Sequence, residues 1–69
     1  MNYAVIIEKG ETSYGAYVPD LPGCVAVGDT VEEVRDLIAE AIVLYVETLQ
    51  EKGKTVPQPT SLCEYVQVA

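Results

Sequence analysis

Eleven carboxylates and no histidine set the limits on the chemistry this chain can do. Converging carboxylates can hold paired divalent ions for phosphodiester cleavage. Here the first apolar run, Tyr3 to Ile7, carries none in its middle. Glu8 falls at its end, Glu11 in the turn beyond it and Asp20 in the next corner. Glu33, Asp36, Glu40 and Glu47 are spaced along one helical segment and read as its solvated side. Nucleophilic catalysis lacks its usual base, because Cys24, Cys63, Ser13 and Ser61 have no histidine to activate them. Two cysteines do not complete a tetrahedral zinc site, and a glycine-rich phosphate loop is missing. The residue inventory argues for a binding protein with no catalytic site, metal or cofactor.

Charge narrows the partner. Eleven acidic residues against four basic ones give a net charge of −7, and Lys9, Arg35, Lys52 and Lys54 are scattered. Phosphate contacts depend on lysine and arginine, so direct DNA or RNA binding is not expected. The same charge steers the chain toward a basic protein. There is no leader pattern and no apolar run of the ~18 residues a membrane span needs, so the expected compartment is the cytoplasm. Cys24 and Cys63 are too few for a disulfide framework and read as small buried hydrophobes.

The elements follow from local signals. Residues 3 to 8 and 12 to 18 are strand-like runs around Lys9-Gly10-Glu11, a hairpin pattern. Pro19 and Pro22 fix φ and Gly23 can take a positive one, so Asp20 to Gly23 forms a tight corner that feeds a third strand over residues 24 to 28. Gly28 and Asp29 break that strand. Thr30 and Glu33 then form a capping box before a helix running from Val31 to about Lys52. Apolar residues at 31, 34, 38, 41, 42, 45 and 49 make its buried stripe, and Gly53 is placed to end it. Pro57 and Pro59 keep the exit extended, and Cys63 to Val68 has the composition of a last short strand. The order β-β-β-α-β over residues 1–69 is an α+β layer in one domain, with one long helix on a small, mostly antiparallel sheet. A chain this short buries only ~60% of its unfolded surface, so a partner is expected to help hold it.

Pro19-Asp20-Leu21-Pro22-Gly23-Cys24, followed at fixed spacing by Gly28-Asp29-Thr30 and the acidic pair Glu32-Glu33, resembles the HicB family of bacterial antitoxins. The aromatic strand Tyr14 to Val18 before the corner fits the same pattern. So do Glu40-Ala41 and the exit Gly53…Val56-Pro57-Gln58-Pro59, and the likeness covers most of the chain. The resemblance implies a truncated ribonuclease-H-like fold with the last strand beside the first, in the order 3-2-1-4. It also implies a function: neutralising a HicA-type mRNA-cleaving toxin, a basic ribonuclease, by docking over its active site. An alternative within the family is a solitary oligomeric domain that binds another protein or a small ligand. Many HicB proteins continue into a DNA-binding segment, whereas here the last strand is followed directly by Ala69.

Within that reading Tyr14, Tyr17, Asp20, Leu21, Glu32 and Glu33 are the candidate partner contacts. Tyr14 and Tyr17 fall on opposite faces of one strand, which gives one to the core and leaves the other for a partner. Self-association is expected as well. Tyr3, Val5 and Ile7 oppose Ala4 and Ile6, giving both sheet faces apolar content, and Ala41-Ile42-Val43-Leu44-Tyr45-Val46 is apolar all round. Leu37, Val43, Leu44 and Val46 lie off the buried stripe and are the candidates for contact between copies.

Overall fold

The computed structural model describes all 69 residues. Strands β1 (Ile6–Lys9), β2 (Tyr14–Tyr17) and β3 (Val25–Gly28) precede one helix, α1 (Val31–Glu51). The strands are antiparallel neighbours in the order β1-β2-β3. A tight loop closes the first hairpin, with the Gly10 N–H donating to the Ser13 carbonyl at 2.7 Å.

Two successive turns make the corner between β2 and β3. The Leu21 N–H donates to the Val18 carbonyl at 3.1 Å and the Cys24 N–H to the Leu21 carbonyl at 3.0 Å. Each turn has proline at its second position. In the second, Gly23 takes φ 81°, the positive value a type II turn requires there. The Val18 N–H reaches the Cys24 carbonyl at 3.2 Å and closes the corner. Leu21, held between the turns, is wholly buried.

Both ends of α1 are built as the sequence indicates. Thr30 is extended and its Oγ1 accepts from the Glu33 N–H at 3.0 Å. Glu33 Oε1 reaches back one residue beyond the cap and accepts from the Asp29 N–H at 2.7 Å. At the other end Gly53 has φ 68°, its N–H donates to the Gln50 carbonyl, and the Lys54 N–H donates to the Leu49 carbonyl. That pair of bonds is a Schellman motif. The helix packs on β3 and β2. Gly28 permits this approach, because a Cβ there would lie 2.9 Å from the Val34 backbone nitrogen.

Ala16, Val18, Leu21, Cys24, Val34 and Ile38 form the core, ringed by half-buried Tyr3, Val5, Ile7, Tyr14, Ala26, Ala41, Ile42 and Tyr45. Only 7 of 69 residues are buried, so this core is thin and the loss of any one member is felt.

Two features differ from the sequence expectation. The first strand pairs only from Ile6, although residues 3 to 5 are equally apolar. Continuing the register would set Ala4 against Pro19, which has no N–H, and Val18 already gives its N–H to the corner. The second correction concerns the fourth strand. Cys63 to Val68 is not a strand, and the sheet ends at β1 instead of continuing to a strand 4. Asp20 holds Thr60 and Ser61 at the β2–β3 corner, and every residue from Ser61 onward is exposed. The order 3-2-1 is present, and the chain that would supply the 4 leaves the domain.

Candidate binding surface

Alternation along the strands sorts the sheet into two faces. Ile7, Ala16, Ala26, Tyr14 and Gly28 face the helix. Ile6, Tyr17 and Val25 stand in one cross-strand row on the opposite face, and Glu8, Gly15 and Val27 in the next. No helix covers this second face. Val25 is 62% exposed, Val27 66% and Tyr17 41%, which is an apolar surface with one carboxylate beside it. Just past β3, the turn into α1 presents Asp29 and Glu32, both exposed.

The six candidate partner contacts separate on inspection. Tyr17 lies on the open face and Glu32 on the exposed first turn of the helix. Tyr14 packs against the core, as one of the two strand tyrosines had to. Leu21 has no surface to offer a partner, because the double turn drives it into the core. Glu33 spends its carboxylate on the Asp29 N–H. Asp20 is equally engaged: its Oδ2 accepts from the backbone N–H groups of Thr60 (3.0 Å) and Ser61 (2.9 Å). Its Oδ1 accepts from the hydroxyls of Thr60 (3.1 Å) and Ser61 (2.8 Å). The backbone N–H of Ser61, then its hydroxyl, hold the Asp20 carboxyl below the usual carboxylate range. Asp20 is thus the clamp for the tail.

A second feature lies along the outer side of β3. Gly23, Cys24 and the edge of Val25, at the start of β3, line together with Ala41, Leu44, Tyr45, Thr48 and Leu49 of α1 a groove of about 450 Å³ that carries no charged residue. Tyr45 braces its end, donating from its hydroxyl to the Pro22 carbonyl at 2.8 Å. Of the candidates for contact between copies, Leu44 lines the groove and is 64% exposed, Leu37 and Val43 are exposed, and Val46 is half-buried. The outward valines of β3 were not singled out by sequence reasoning. Their signal is the alternation Val25-Ala26-Val27-Gly28, in which the small residues mark the face the helix approaches.

Nowhere do three His, Cys, Asp or Glu side chains come together in a way that could hold a metal ion. Burial pushes the Cys24 thiol up, away from the thiolate a nucleophile needs. Cys63, expected to be buried, is exposed because its strand does not form, and both thiols are free. No helix is long and apolar enough to cross a membrane.

The chain is a small α+β module whose sheet leaves one apolar face uncovered, beside the exposed carboxylates of Glu8, Asp29 and Glu32. The family model for the HicB-like antitoxin of bacterial toxin–antitoxin systems matches residues 3–69, and the chain belongs to that family. A UPF0150 protein of Synechocystis is 45% identical over 58 residues, covering 83% of this chain and 73% of that protein. A 14.9 kDa protein from the rep–hol intergenic region of Haemophilus phage HP1 is 35% identical over 66 residues, 96% of this chain and 50% of its own length. The antitoxin HicB 2 of Photorhabdus laumondii is 32% identical over 61 residues, 88% of this chain and 44% of that protein. The chain therefore spans about half the length of the phage and Photorhabdus relatives. No solved structure matches.

Proposed function

We propose that this chain is the antitoxin of a toxin–antitoxin pair and silences a HicA-type mRNA-cleaving toxin by lying over its active site, without catalysis, cofactor or DNA binding of its own. The match over residues 3–69 carries this reading. The open sheet face supports it: Ile6, Tyr17, Val25 and Val27 supply the apolar centre of an interface, with Glu8, Asp29 and Glu32 as an acidic margin. A ribonuclease that grips RNA is basic, and a net charge of −7 draws it in. On this reading the pair acts in the cytoplasm, where a toxin that cleaves messenger RNA would meet its substrate. The deciding experiment is RNA cleavage by the cognate toxin with and without this protein. Cleavage should stop at equimolar protein, and Tyr17→Lys should restore it while leaving the helical signal intact. Undiminished cleavage in stoichiometric excess of the wild-type protein would defeat the reading.

The uncharged apolar groove beside β3 favours a second reading, since a basic toxin would find no carboxylate there. A solitary oligomeric domain serving another protein or a small ligand would bind the cognate toxin no better than an unrelated acidic protein does.

A further inference from the structure

Two free thiols stand on either side of the Asp20 clamp. Cys24 belongs to the core and lines the groove at the start of β3. Cys63 stands on the exposed tail, two residues past Ser61. The clamp joins the two stretches, because it fixes Thr60 and Ser61 at the corner whose second turn ends at Cys24. The tail is therefore rooted beside the first residues of the chain's own groove.

The lengths involved bring the pair within reach. The turn that the Cys24 N–H closes on the Leu21 carbonyl keeps its ends within about 7 Å of each other. Leu62 and Cys63 add about 7 Å of extended chain beyond the clamp, and no backbone hydrogen bond fixes them. A disulfide spans about 4.4–6.8 Å between Cα atoms, so a swing of the tail about Ser61 can close the gap. Polarity matches too. The groove carries no charged residue, and from Leu62 to Val68 the tail has one charge, Glu64. Leu62, Tyr65, Val66 and Val68 are each at least 80% exposed, and Leu44 on the groove is 64% exposed, so closure would take apolar surface out of water on both sides. Tethering gives the chain's own tail a local concentration of about millimolar, which a free partner has to exceed.

We propose that Cys24 and Cys63 form a redox pair, which a low-molecular-weight disulfide such as oxidised glutathione joins, latching the chain's own tail over the groove. The chemistry balances in two exchanges. Cys63, the exposed thiol, attacks the small disulfide as its thiolate and releases one small thiol, leaving a mixed disulfide on the tail. Cys24 then attacks the Cys63 sulfur and releases the second small thiol. The two protein thiols have given up two protons and two electrons, and the small disulfide has taken them up. Burial keeps the Cys24 thiol protonated, so Cys63 reacts first, and the tether offsets the weaker nucleophile in the second exchange. Oxidation closes the groove to any partner and reduction reopens it. The proposal rests on neither reading of the protein's function and is tested without a toxin.

The test is equilibration of the full chain, at micromolar concentration, with oxidised and reduced glutathione, followed by alkylation and mass spectrometry. The expected product is a single chain with both thiols consumed and no glutathione attached. Opening that bridge should take at least about tenfold more reduced glutathione in the folded protein than in urea, because the fold holds the two sulfurs together. Asp20→Asn loosens the root of the tail and Leu44→Asp puts a charge into the groove. Both side chains lie at the surface, so both variants should keep the helical circular-dichroism signal while their bridges open at lower reduced glutathione. A mixed disulfide that stays on Cys63 with Cys24 free overturns the proposal, as does a bridge that forms between chains. A bridge no harder to open in the folded protein than in urea, or one that neither substitution weakens, overturns it equally.

Discussion

At the scale of single residues, Thr30 and Asp20 carry the most structure for their size. The Thr30 hydroxyl satisfies one of the donors that the first turn of a helix leaves free, and it does so for the only helix in the fold. Thr30→Ala should cost about 0.5–2 kcal/mol, read as a lowered denaturation midpoint with an unchanged slope. Asp20 joins parts of the chain forty residues apart by accepting four hydrogen bonds as a carboxylate. Those bonds hold its pKa down, so the clamp is complete above the ordinary carboxylate value and is lost as pH falls through the lowered one. Hydrogen exchange at the Thr60 and Ser61 amides should therefore accelerate to the rate of the other tail amides in acid, after correction for intrinsic rates. Asp20→Asn, which can accept through one oxygen only, should show the same acceleration at neutral pH. Protection that persists in Asp20→Asn would mean the tail is held by something other than this carboxylate.

At the scale of elements, the helix stands on close contact with β3, and the glycine that permits it is the sensitive point. Gly28→Ala would press a methyl group against the Val34 backbone at 2.9 Å, which backbone cannot avoid by rotating. Overpacking of this kind costs about 1–3 kcal/mol. Ile38→Ala should cost about 2–5 kcal/mol, comparable with the ~3–5 kcal/mol that a core of this size supplies, so it should leave most molecules unfolded by circular dichroism. What could be read from the sequence divides along the same line. The double turn, the capping box, the buried stripe of α1 and its glycine stop are local, each fixed by residues within a few positions of one another. Sheet edges are not local. Cys63 to Val68 has the composition of a strand, but composition cannot say whether an edge is within reach, and the clamp on Thr60 and Ser61 has no sequence signal linking it to Asp20. The same limit applied to the binding surface: alternation gave one of Tyr14 and Tyr17 to the core without saying which, and the engagement of Asp20 depends on Thr60 and Ser61, forty residues away.

At the scale of the whole molecule, one charge distribution must serve two kinds of association with opposite electrostatics. A toxin that holds RNA is attracted by a net charge of −7, so added salt should slow the encounter as the Debye length falls from about 10 Å at 0.1 M to about 3 Å at 1 M. Two copies of this chain repel each other by charge, so any self-association must run through uncharged apolar surface such as the groove beside β3. Salt should therefore tighten such association, both by screening and, with sulfate, by strengthening apolar burial. Stopped-flow association with the toxin and sedimentation equilibrium of the protein alone, each repeated across this salt range, should give slopes of opposite sign. Glu8→Lys with Glu32→Lys makes the contrast sharper, since both side chains are exposed and neither touches the groove. The double variant lowers the magnitude of the negative charge by four, so it should slow capture of the toxin and flatten its salt dependence. Its self-association should be no weaker than that of the wild-type protein. A toxin association rate indifferent to salt would remove electrostatic steering from the account, and self-association that loosens as salt rises would show that the copies are joined by charge and not by apolar contact.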